Sequence, residues 1–466
     1  MTDDVTFRDR VSTVTEDGKT RRWIYPKLIK GKLYKYRNWV STVLLVLLFC
    51  GPFLKINGEQ LILLNIIERK FVFFGIIFWP QDFYLFVLAM LIFVVFVGMF
   101  TVVYGRVWCG WACPQTIFME MLFRKIERWI EGDAQKQKKL DEGPLTREKI
   151  IKKTEKHLIF ICLSFFIANI FLAYIIGSDA LFKIMSESVS QHIPGFISIW
   201  VFTIVFYLVF SRLRELACIV ICPYGRLQGV LLDNNSMVVA YDYLRGEPRA
   251  KRNRKELSGT SGKGDCVDCG VCVQVCPTGI DIRNGTQLEC INCTLCIDAC
   301  DMVMEKIDRP ARLIGFKSED NIKSGKPFHP GKRLYSYAAV LAVLVSVLTV
   351  MLILRTDVKA TVLRAGGTLY QAREDGTVSN LYNAELINKT NHPLAFKIMP
   401  VEKEDKIQYI THEDSLGKGE TVKITFFVIR PKSSIKNYKS EIQLDVISGG
   451  KVLDKIETNF IAPPNL

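Results

Sequence analysis

The sequence lacks the motifs that attach a haem or bind a nucleotide. It contains no Cys-x-x-Cys-His, which argues against a covalently attached c-type haem, and it has only five histidines. No glycine-rich fingerprint follows a predicted strand, so neither a dinucleotide nor a flavin site is predicted. The first 38 residues are polar and basic and lack the apolar core of a cleavable signal peptide, so we expect them to remain in the protein.

The composition instead favours a membrane protein with polar domains. The chain has 466 residues, 49% of them hydrophobic, a formal net charge of +14 and 14 cysteines. Its mean hydropathy is +0.18. A disordered chain would be less hydrophobic, and a secreted disulfide scaffold of this size would not cluster its cysteines so tightly.

Five apolar runs have the length that a bilayer requires, which is about 17–25 residues. They are Asn38–Leu54, Phe83–Tyr104, His157–Gly177, Gly195–Phe210 and Tyr337–Leu354. A sixth run, Leu61–Pro80, carries Glu68, Arg69 and Lys70 in its middle. Three charges at the bilayer centre are costly, so we predict an interfacial or re-entrant helix there.

The distribution of Lys and Arg predicts the orientation of these spans. Ten precede the first span, twelve lie in the loop 105–156 and nineteen lie in 212–333, whereas the two other intervening segments carry three and one. The positive-inside bias then makes the N-terminus and both long loops cytoplasmic and the C-terminus periplasmic, in a bacterial inner membrane.

The chain thus divides into five predicted segments. They are a basic N-terminal segment (1–37), a membrane domain with four spans and the loop 105–156 (38–211), a cytoplasmic cysteine-rich domain (212–336), a fifth span (337–354) and a periplasmic domain (355–466). The last segment has no cysteine, and runs such as Thr421–Ile429 alternate apolar and polar residues. This period-2 pattern predicts a β-sandwich of about seven strands.

Two cysteine runs between the fourth and fifth spans predict iron–sulfur clusters. Each has the spacing Cys-x2-Cys-x2-Cys-x3-Cys, and in this spacing the fourth cysteine ligates the other cluster. The predicted ligands are Cys266, Cys269, Cys272 and Cys300 for the first 4Fe–4S cluster and Cys290, Cys293, Cys296 and Cys276 for the second. Zinc, the alternative, usually takes cysteine pairs with a longer spacer. Asp301 stands where the second run would have proline, which removes no ligand.

A second pair of motifs, Cys-x3-Cys-Pro, follows the second and fourth spans. It contributes Cys109, Cys113, Cys218 and Cys222. Proline suits the first position of a helix, so Cys113 and Cys222 are candidate caps, where a helix N-terminus favours the thiolate. Soft thiolates select Cu(I). A copper or redox-active thiol site, a further four-thiolate metal centre and structural packing remain alternatives.

The basic run Arg245–Lys255 lies between a span and the cysteine runs. Nucleic-acid binding is one interpretation, but this position favours anionic lipid headgroups or solvent, followed by docking of an acidic electron donor. We therefore predict a lipid-membrane partner and no nucleic-acid partner.

The order of motifs resembles the FixG/CcoG family of cytochrome oxidase accessory proteins over essentially the full chain. The motifs are Trp23-Ile-Tyr-Pro26, Phe78-Trp-Pro-Gln-Asp82, the two Cys-x3-Cys-Pro motifs, the two cluster runs, a last span and a β-rich tail. The resemblance implies two 4Fe–4S clusters, an immunoglobulin-like C-terminal domain, assembly of a cbb3-type oxidase and reduction of Cu(II) to Cu(I) before copper enters it. The fold class expected is thus a multi-domain integral membrane protein with five spans, a two-cluster ferredoxin-like domain and a C-terminal all-β sandwich.

Three functions remain open at this point. The first is a membrane-bound cupric reductase whose clusters pass electrons to copper at the four thiols, working with an electron donor and with oxidase assembly factors or a copper donor. The second is a quinol dehydrogenase subunit, with Asp82 and Leu61–Pro80 bordering a quinone pocket. The third is a non-catalytic copper chaperone or assembly platform.

Overall fold

A computed structural model describes residues 21–464, except 57, 68–69, 252–262, 326, 328, 368, 391, 412 and 436. The predictions on residues 1–20, on Glu68 and Arg69, and on the last four residues of the basic run lie outside the described residues. The chain divides into two compact units. Unit 1 contains 1–51, 89–173 and 179–345; unit 2 contains 52–88, 174–178 and 346–466.

Long apolar helices account for much of the first 353 residues. The described helices are α1 (Lys32–Cys50), α2 (Phe83–Tyr104), α3 (Val107–Trp111), α4 (Pro114–Ile117), α5 (Arg124–Glu131), α6 (Ala134–Glu142), α7 (Arg147–Ile176), α8 (Ser178–Ser186), α9 (Ile193–Leu208), α10 (Pro223–Leu231), α11 (Tyr243–Gly246), α12 (Val271–Gln274), α13 (Leu295–Lys306), α14 (Glu319–Ser324) and α15 (Lys332–Ile353). Short π-helical turns lie at Phe118–Phe123, between α4 and α5, at Val209–Leu213, after α9, and at Ala217–Ile221.

In the described part of the chain, five helical stretches are long and apolar enough to cross a membrane, as the sequence predicts. They are Lys32–Phe53, Phe83–Tyr104, Arg147–Ile176, Ile193–Leu213 and Lys332–Ile353. Most of their side chains are not covered by protein, and the fifth has none that is buried. Apolar side chains without protein neighbours are the pattern that lipid contact requires.

The strands form several small antiparallel sheets and two larger ones. They are β1 (Lys55–Ile56), β2 (Glu59–Gln60), β3 (Ile62–Asn65), β4 (Lys70–Phe73), β5 (Ile76–Phe78), β6 (Val238–Tyr241), β7 (Ile314–Lys317), β8 (Val358–Arg364), β9 (Gln371–Ala372), β10 (Thr377–Asn388), β11 (Leu394–Ala395), β12 (Lys397–Pro400), β13 (Lys406–Tyr409), β14 (Ser415–Leu416), β15 (Thr421–Pro431), β16 (Lys439–Ser448) and β17 (Lys451–Ile461).

The prediction of a helix over Leu61–Pro80 is wrong. The segment forms the antiparallel meander β3–β4–β5, with Leu63, Val72 and Ile77 buried together. Phe74 and Gly75 both have positive φ and turn the chain between β4 and β5. An apolar run rich in aromatic and β-branched residues suits strands as well as a helix, and the turn decides between them.

The C-terminal part of unit 2 has two main sheets, which confirms the predicted β-sandwich. One has the order β13-β15-β10-β8, with β9 also on β10, and the other has the order β12-β16-β17. In β15 the buried side chains alternate with less buried ones, Val422, Ile424, Phe426 and Val428 pointing into the core. A sheet with one face in the core produces this alternation.

Candidate metal centres

Two cavities in unit 1 are lined by the cysteines of the two runs. The lining of one includes Cys266, Cys269, Cys272 and Cys300. The other is lined in part by Cys276, Cys290, Cys293 and Cys296, together with Cys272. Each cavity therefore gathers three cysteines of one run and the last cysteine of the other. Because Cys272 borders both, the two cavities are adjacent.

The two runs share an unusual backbone that explains these cavities. Asp268 and Asn292 stand two residues after the first cysteine, and Gly270 and Thr294 stand four residues after it. All four have positive φ, between 49° and 65°. Asp, Asn and Gly tolerate this conformation, whereas threonine, a β-branched residue, adopts it at a cost. The loops thus curl around the cavities before α12 and α13 begin.

The chemistry of the donor set fits iron–sulfur clusters. Burial raises the pKa of the Cys272, Cys290 and Cys300 thiols to about 12. A buried thiolate needs a compensating positive charge. The iron ions of a 4Fe–4S cluster, which has four cysteine ligands in all, would supply it. These residues would hold the clusters at the two cavities.

The thiols of the two Cys-x3-Cys-Pro motifs also approach one another. Electrostatic interactions link Cys218 to the other three, and Cys109 and Cys113 each interact with Cys222. Among the described residues, however, no three His, Cys, Asp or Glu side chains lie close enough to bind a single metal ion. The four thiols are therefore neighbours and do not form a closed mononuclear site in this conformation.

Both second cysteines cap helices as the sequence predicts. Cys113 precedes Pro114 at the start of α4, and Cys222 precedes Pro223 at the start of α10. The prediction that the helix N-terminus favours the thiolate is wrong for Cys113. Burial raises the pKa of Cys113, and the backbone N–H groups that oppose this effect do not outweigh it. Burial likewise raises the pKa of Cys109 to about 11.

Gln228 fixes the Cys109 side chain. The Cys109 thiol donates a hydrogen bond to Gln228 Oε1 over 3.1 Å, and Gln228 Nε2 donates to Thr101 Oγ1 over 3.2 Å. Gln228 and Thr101 are both fully buried. No sequence motif distinguishes this glutamine, because its partners come from α2 and α3, more than 100 residues earlier.

The first Cys-x3-Cys-Pro motif lies directly against the second cluster run. A Cβ atom on Gly110 would be 2.4 Å from the Ile291 carbonyl oxygen and 3.0 Å from the Cys293 Cα atom. Cys109, Ile291 and Cys293 also belong to one packed cluster of buried side chains, together with Leu295. Only a glycine between the two cysteines permits this contact.

The helix that carries the last two cysteines of the second run also binds the start of α1. The Asp298 carboxylate accepts hydrogen bonds from the backbone N–H of Leu33 over 3.1 Å and of Tyr34 over 2.7 Å. A carboxylate at a helix N-terminus satisfies N–H groups that lack helical partners. Asp298 therefore ties the cysteine-rich domain to α1.

The Trp23–Pro26 motif has a structural role. The guanidinium groups of Arg21 and Arg214 each lie over the Trp23 ring, 4.4 and 4.9 Å from its centroid. The Tyr25 hydroxyl donates to Asp141 Oδ2 over 2.6 Å. These contacts anchor the N-terminal segment to the helices of unit 1.

Buried ion pairs continue from this anchor toward Pro277, the residue after the last cysteine of the first run. Arg124 pairs with Glu215 over 3.0 Å and with Glu120, and it also contacts the Pro277 carbonyl over 3.4 Å. Glu127 pairs with Arg214. Such pairs fix geometry, since each buried charge requires its partner.

Asp82 does not border an open pocket. Its carboxylate is 1% exposed, with Oδ2 2.8 Å from Arg355 Nη2 and Oδ1 paired with Lys389. Arg355 also donates to the Ile77 carbonyl and stacks on the Phe78 ring, 5.0 Å from its centroid. The Phe78–Asp82 motif is therefore a clamp within unit 2, which leaves no free carboxylate for a quinone.

Arg245, the first residue of the basic run, is paired as well. Its Nε atom is 2.7 Å from Asp265 Oδ2, and Nη1 donates to the Ala311 carbonyl over 3.0 Å. Arg249 pairs with Glu247 over 3.1 Å. These arginines pair with residues of the cysteine-rich domain and do not form a free basic surface.

Family models match three parts of the chain. A 4Fe–4S dicluster domain matches residues 213–319, and a 4Fe–4S binding domain matches residues 86–132. The immunoglobulin-like fold at the C-terminus of FixG matches residues 348–463. The dicluster match confirms the prediction of iron–sulfur clusters. The range 86–132 contains only two cysteines, Cys109 and Cys113.

Curated relatives cover most of the chain. It is 35% identical to protein RdxA of Cereibacter sphaeroides, over 80% of this chain and 81% of RdxA, and 33% identical to RdxB of the same organism, over 83% of each. It is 37% identical to the nitrogen fixation protein FixG of Rhizobium meliloti, over 64% of this chain but only 57% of FixG. A solved FixG-related protein from Vibrio parahaemolyticus matches 23% of this chain and 97% of its own, at 17% identity and a TM-score of 0.20.

Proposed function

Because the chain belongs to the FixG family, we propose that it is a membrane-bound iron–sulfur oxidoreductase that reduces Cu(II) to Cu(I) for assembly of a cbb3-type cytochrome oxidase. The observation that carries this proposal is the contact of Gly110 with Ile291 and Cys293. It brings a thiol-rich motif against the second predicted cluster site without intervening side chains.

The residues of the chain divide the work in this proposal. Cys266, Cys269, Cys272 and Cys300 hold one 4Fe–4S cluster, and Cys290, Cys293, Cys296 and Cys276 hold the other. When bound, each cluster stores one electron at a time. Copper is the substrate: Cu(II) gains one electron and becomes Cu(I), and an external low-potential reductant, the electron donor, restores that electron.

Cys109, Cys113, Cys218 and Cys222 receive the copper. Thiol ligands are soft and favour Cu(I) over Cu(II), so they stabilise the product of the reduction. Copper bound by the Cys109 thiolate would lie beside the second cluster site. Before copper arrives, the thiol hydrogen bond to Gln228 holds that side chain in place, and this bond is given up when the thiol loses its proton to bind the metal. Partners of this step are a copper donor or oxidase assembly factors.

The proposed orientation follows the charge distribution, with the N-terminus and clusters cytoplasmic and the C-terminal domain periplasmic. The pairing of Asp82 with Arg355 supports the alternation of five spans, whichever face the pair occupies. Asp82 precedes α2 and Arg355 follows α15, so five alternating spans require these two ends to lie on the same membrane face. The first turn of α2 and the last turn of α15 both belong to unit 2, as that requirement demands.

The test uses the purified, cluster-containing protein in detergent. After anaerobic reduction by dithionite and its removal, Cu(II) is added and Cu(I) is measured with a chromogenic chelator. We expect one Cu(I) for each cluster reoxidised. Cys109→Ala combined with Cys218→Ala should abolish most of this rate, whereas the control Cys50→Ala, at an exposed thiol in α1, should not. An unchanged rate in the double variant would refute the role of these thiols.

Iron analysis separates the copper site from a third cluster. Two 4Fe–4S clusters contain eight iron atoms, whereas a cluster on Cys109, Cys113, Cys218 and Cys222 would raise the total above eight. We expect about eight iron atoms per chain, and the same number in the double variant. A higher number that falls in the double variant would assign the four thiols to iron.

A further inference from the structure

Arg37 is a buried arginine beside the second cluster run. It is 1% exposed, and its Nε atom donates to the Gly110 carbonyl over 2.8 Å. Nη1 and Nη2 are buried and have no hydrogen-bond partner among the described residues. A guanidinium group with two unused donors is costly to bury, so this position requires something that compensates its charge.

The position of Arg37 points to the second cavity. Its Nε–H group binds Gly110, the residue whose backbone is packed on Ile291 and Cys293. Ile291 and Cys293 both line that cavity, so Arg37 is one residue removed from the cavity wall. A cluster with thiolate ligands is the negatively charged group that this environment lacks.

Arg106 approaches the same cavity from the end of α2. It is 5% exposed, its Nε atom donates to Gln228 Oε1 over 3.2 Å, and Nη1 donates to the Leu288 carbonyl. Leu288 stands two residues before Cys290, which lines the second cavity. The hydrogen-bond partners of Arg106 in the described part of the chain are neutral, so its charge is not cancelled locally.

The first cavity has the opposite electrostatic environment. Among the described residues of its lining, the one arginine is Arg283, which pairs with Asp281 over 2.7 Å and with Asp268 over 2.5 Å. Cys300 is followed by Asp301, whose carboxylate pairs with Arg312 over 3.4 Å. Cations are therefore cancelled at the first cavity and uncancelled at the second.

We propose that Arg37 and Arg106 raise the reduction potential of the cluster at the second cavity above that of the cluster at the first, and thereby direct electrons toward Cys109. Reduction adds a negative charge to a cluster, and a fixed guanidinium in a low-dielectric site stabilises that charge. Electrons then enter near Cys269, the exposed cysteine of the first cavity, and move inward. The direction of electron flow toward Cys109 rests on the proposed function. The order of the two cluster potentials does not depend on copper.

The test is a redox titration of the intact cluster-containing protein in detergent, followed by electron paramagnetic resonance. We expect two midpoint potentials in the unchanged protein. Arg37→Gln and Arg106→Gln should each move the higher midpoint to a more negative value and leave the lower one in place. Arg37→Lys retains the charge and should retain most of the higher midpoint.

Arg283→Gln is the matched control, because it alters an arginine at the first cavity. It should move only the lower midpoint, which assigns that midpoint to the first cluster. The proposal is overturned if Arg37→Gln and Arg106→Gln leave the higher midpoint unchanged or move only the lower one. If Arg37→Gln assembles no clusters, the midpoints of Arg37→Lys and Arg106→Gln test the proposal instead. The proposal is also overturned if Arg37→Lys loses its clusters and Arg106→Gln leaves the higher midpoint unchanged. A protein with both midpoints in the expected order that fails to reduce copper would refute the proposed function alone.

Discussion

Substitution of Gly110 by alanine, which adds one methyl group to the first Cys-x3-Cys-Pro motif, should disrupt the second cluster site. The new Cβ atom would lie 2.4 Å from the Ile291 carbonyl oxygen. An ordinary carbon–oxygen contact is about 3.3 Å, so the two backbones would have to separate by about 0.9 Å. Both contacting groups are backbone atoms, and no side-chain rotation relieves the clash.

This separation has a structural and a functional cost. Overpacking a close contact costs about 1–3 kcal/mol. A longer distance between the second cluster site and the Cys109 thiol also slows electron transfer. We therefore expect Gly110→Ala to lose iron from the second site or, where both clusters assemble, to reduce copper measurably more slowly.

Gly98→Ala is the matched control. Gly98 lies in α2, and its new Cβ atom would meet nothing within 4 Å. Both variants are purified in detergent and compared by iron content per chain, thermal midpoint and initial rate of Cu(I) formation. If Gly110→Ala equals Gly98→Ala in all three measurements, the close contact with the second cluster run is refuted.

Two further variants test buried charges. Asp82→Asn leaves Arg355 and Lys389 without their carboxylate, so we expect a loss of about 3–5 kcal/mol in the free energy of unfolding of unit 2, measured by denaturant titration with circular dichroism; an unchanged midpoint would contradict the clamp. At Glu127, burial opposes ionisation, but the charge of Arg214 helps to lower the pKa of the carboxyl group from 4.5 to about 2. Because the folded-state pKa is depressed, the stabilisation is complete above about pH 4.5 and is lost as the pH falls toward 2. Glu127→Gln should lack this phase in tryptophan-fluorescence unfolding profiles, and superimposable profiles would refute it.

Local signals were sufficient to predict several elements of the fold. Five apolar runs, two cysteine runs and the proline after Cys113 depend on neighbouring residues only, and the structure has the corresponding helices, cavities and cap. The alternation in Thr421–Ile429 likewise predicts a strand within a sandwich, because one face of that sheet is buried.

Long-range partners could not be predicted. Leu61–Pro80 has the length of a helix, and only the turn at Phe74 and Gly75 makes it a meander. Arg37 stands at the edge of an apolar run, where an arginine usually reaches headgroups, yet its partner is Gly110, 73 residues later. The prediction of a stabilised thiolate at Cys113 is wrong for a similar reason. Burial raises the pKa of this thiol, and burial depends on distant parts of the chain.

The clamp at Asp82 has a consequence for biosynthesis. Its partners Arg355 and Lys389 follow it by 273 and 307 residues, so the ribosome has completed most of the chain before either one exists. Until then, the carboxylate is an uncompensated charge that can be buried only at a high cost. A truncated chain that ends before Arg355 therefore cannot close unit 2, and Asp82 makes the maturation of an early span depend on the arrival of the last one.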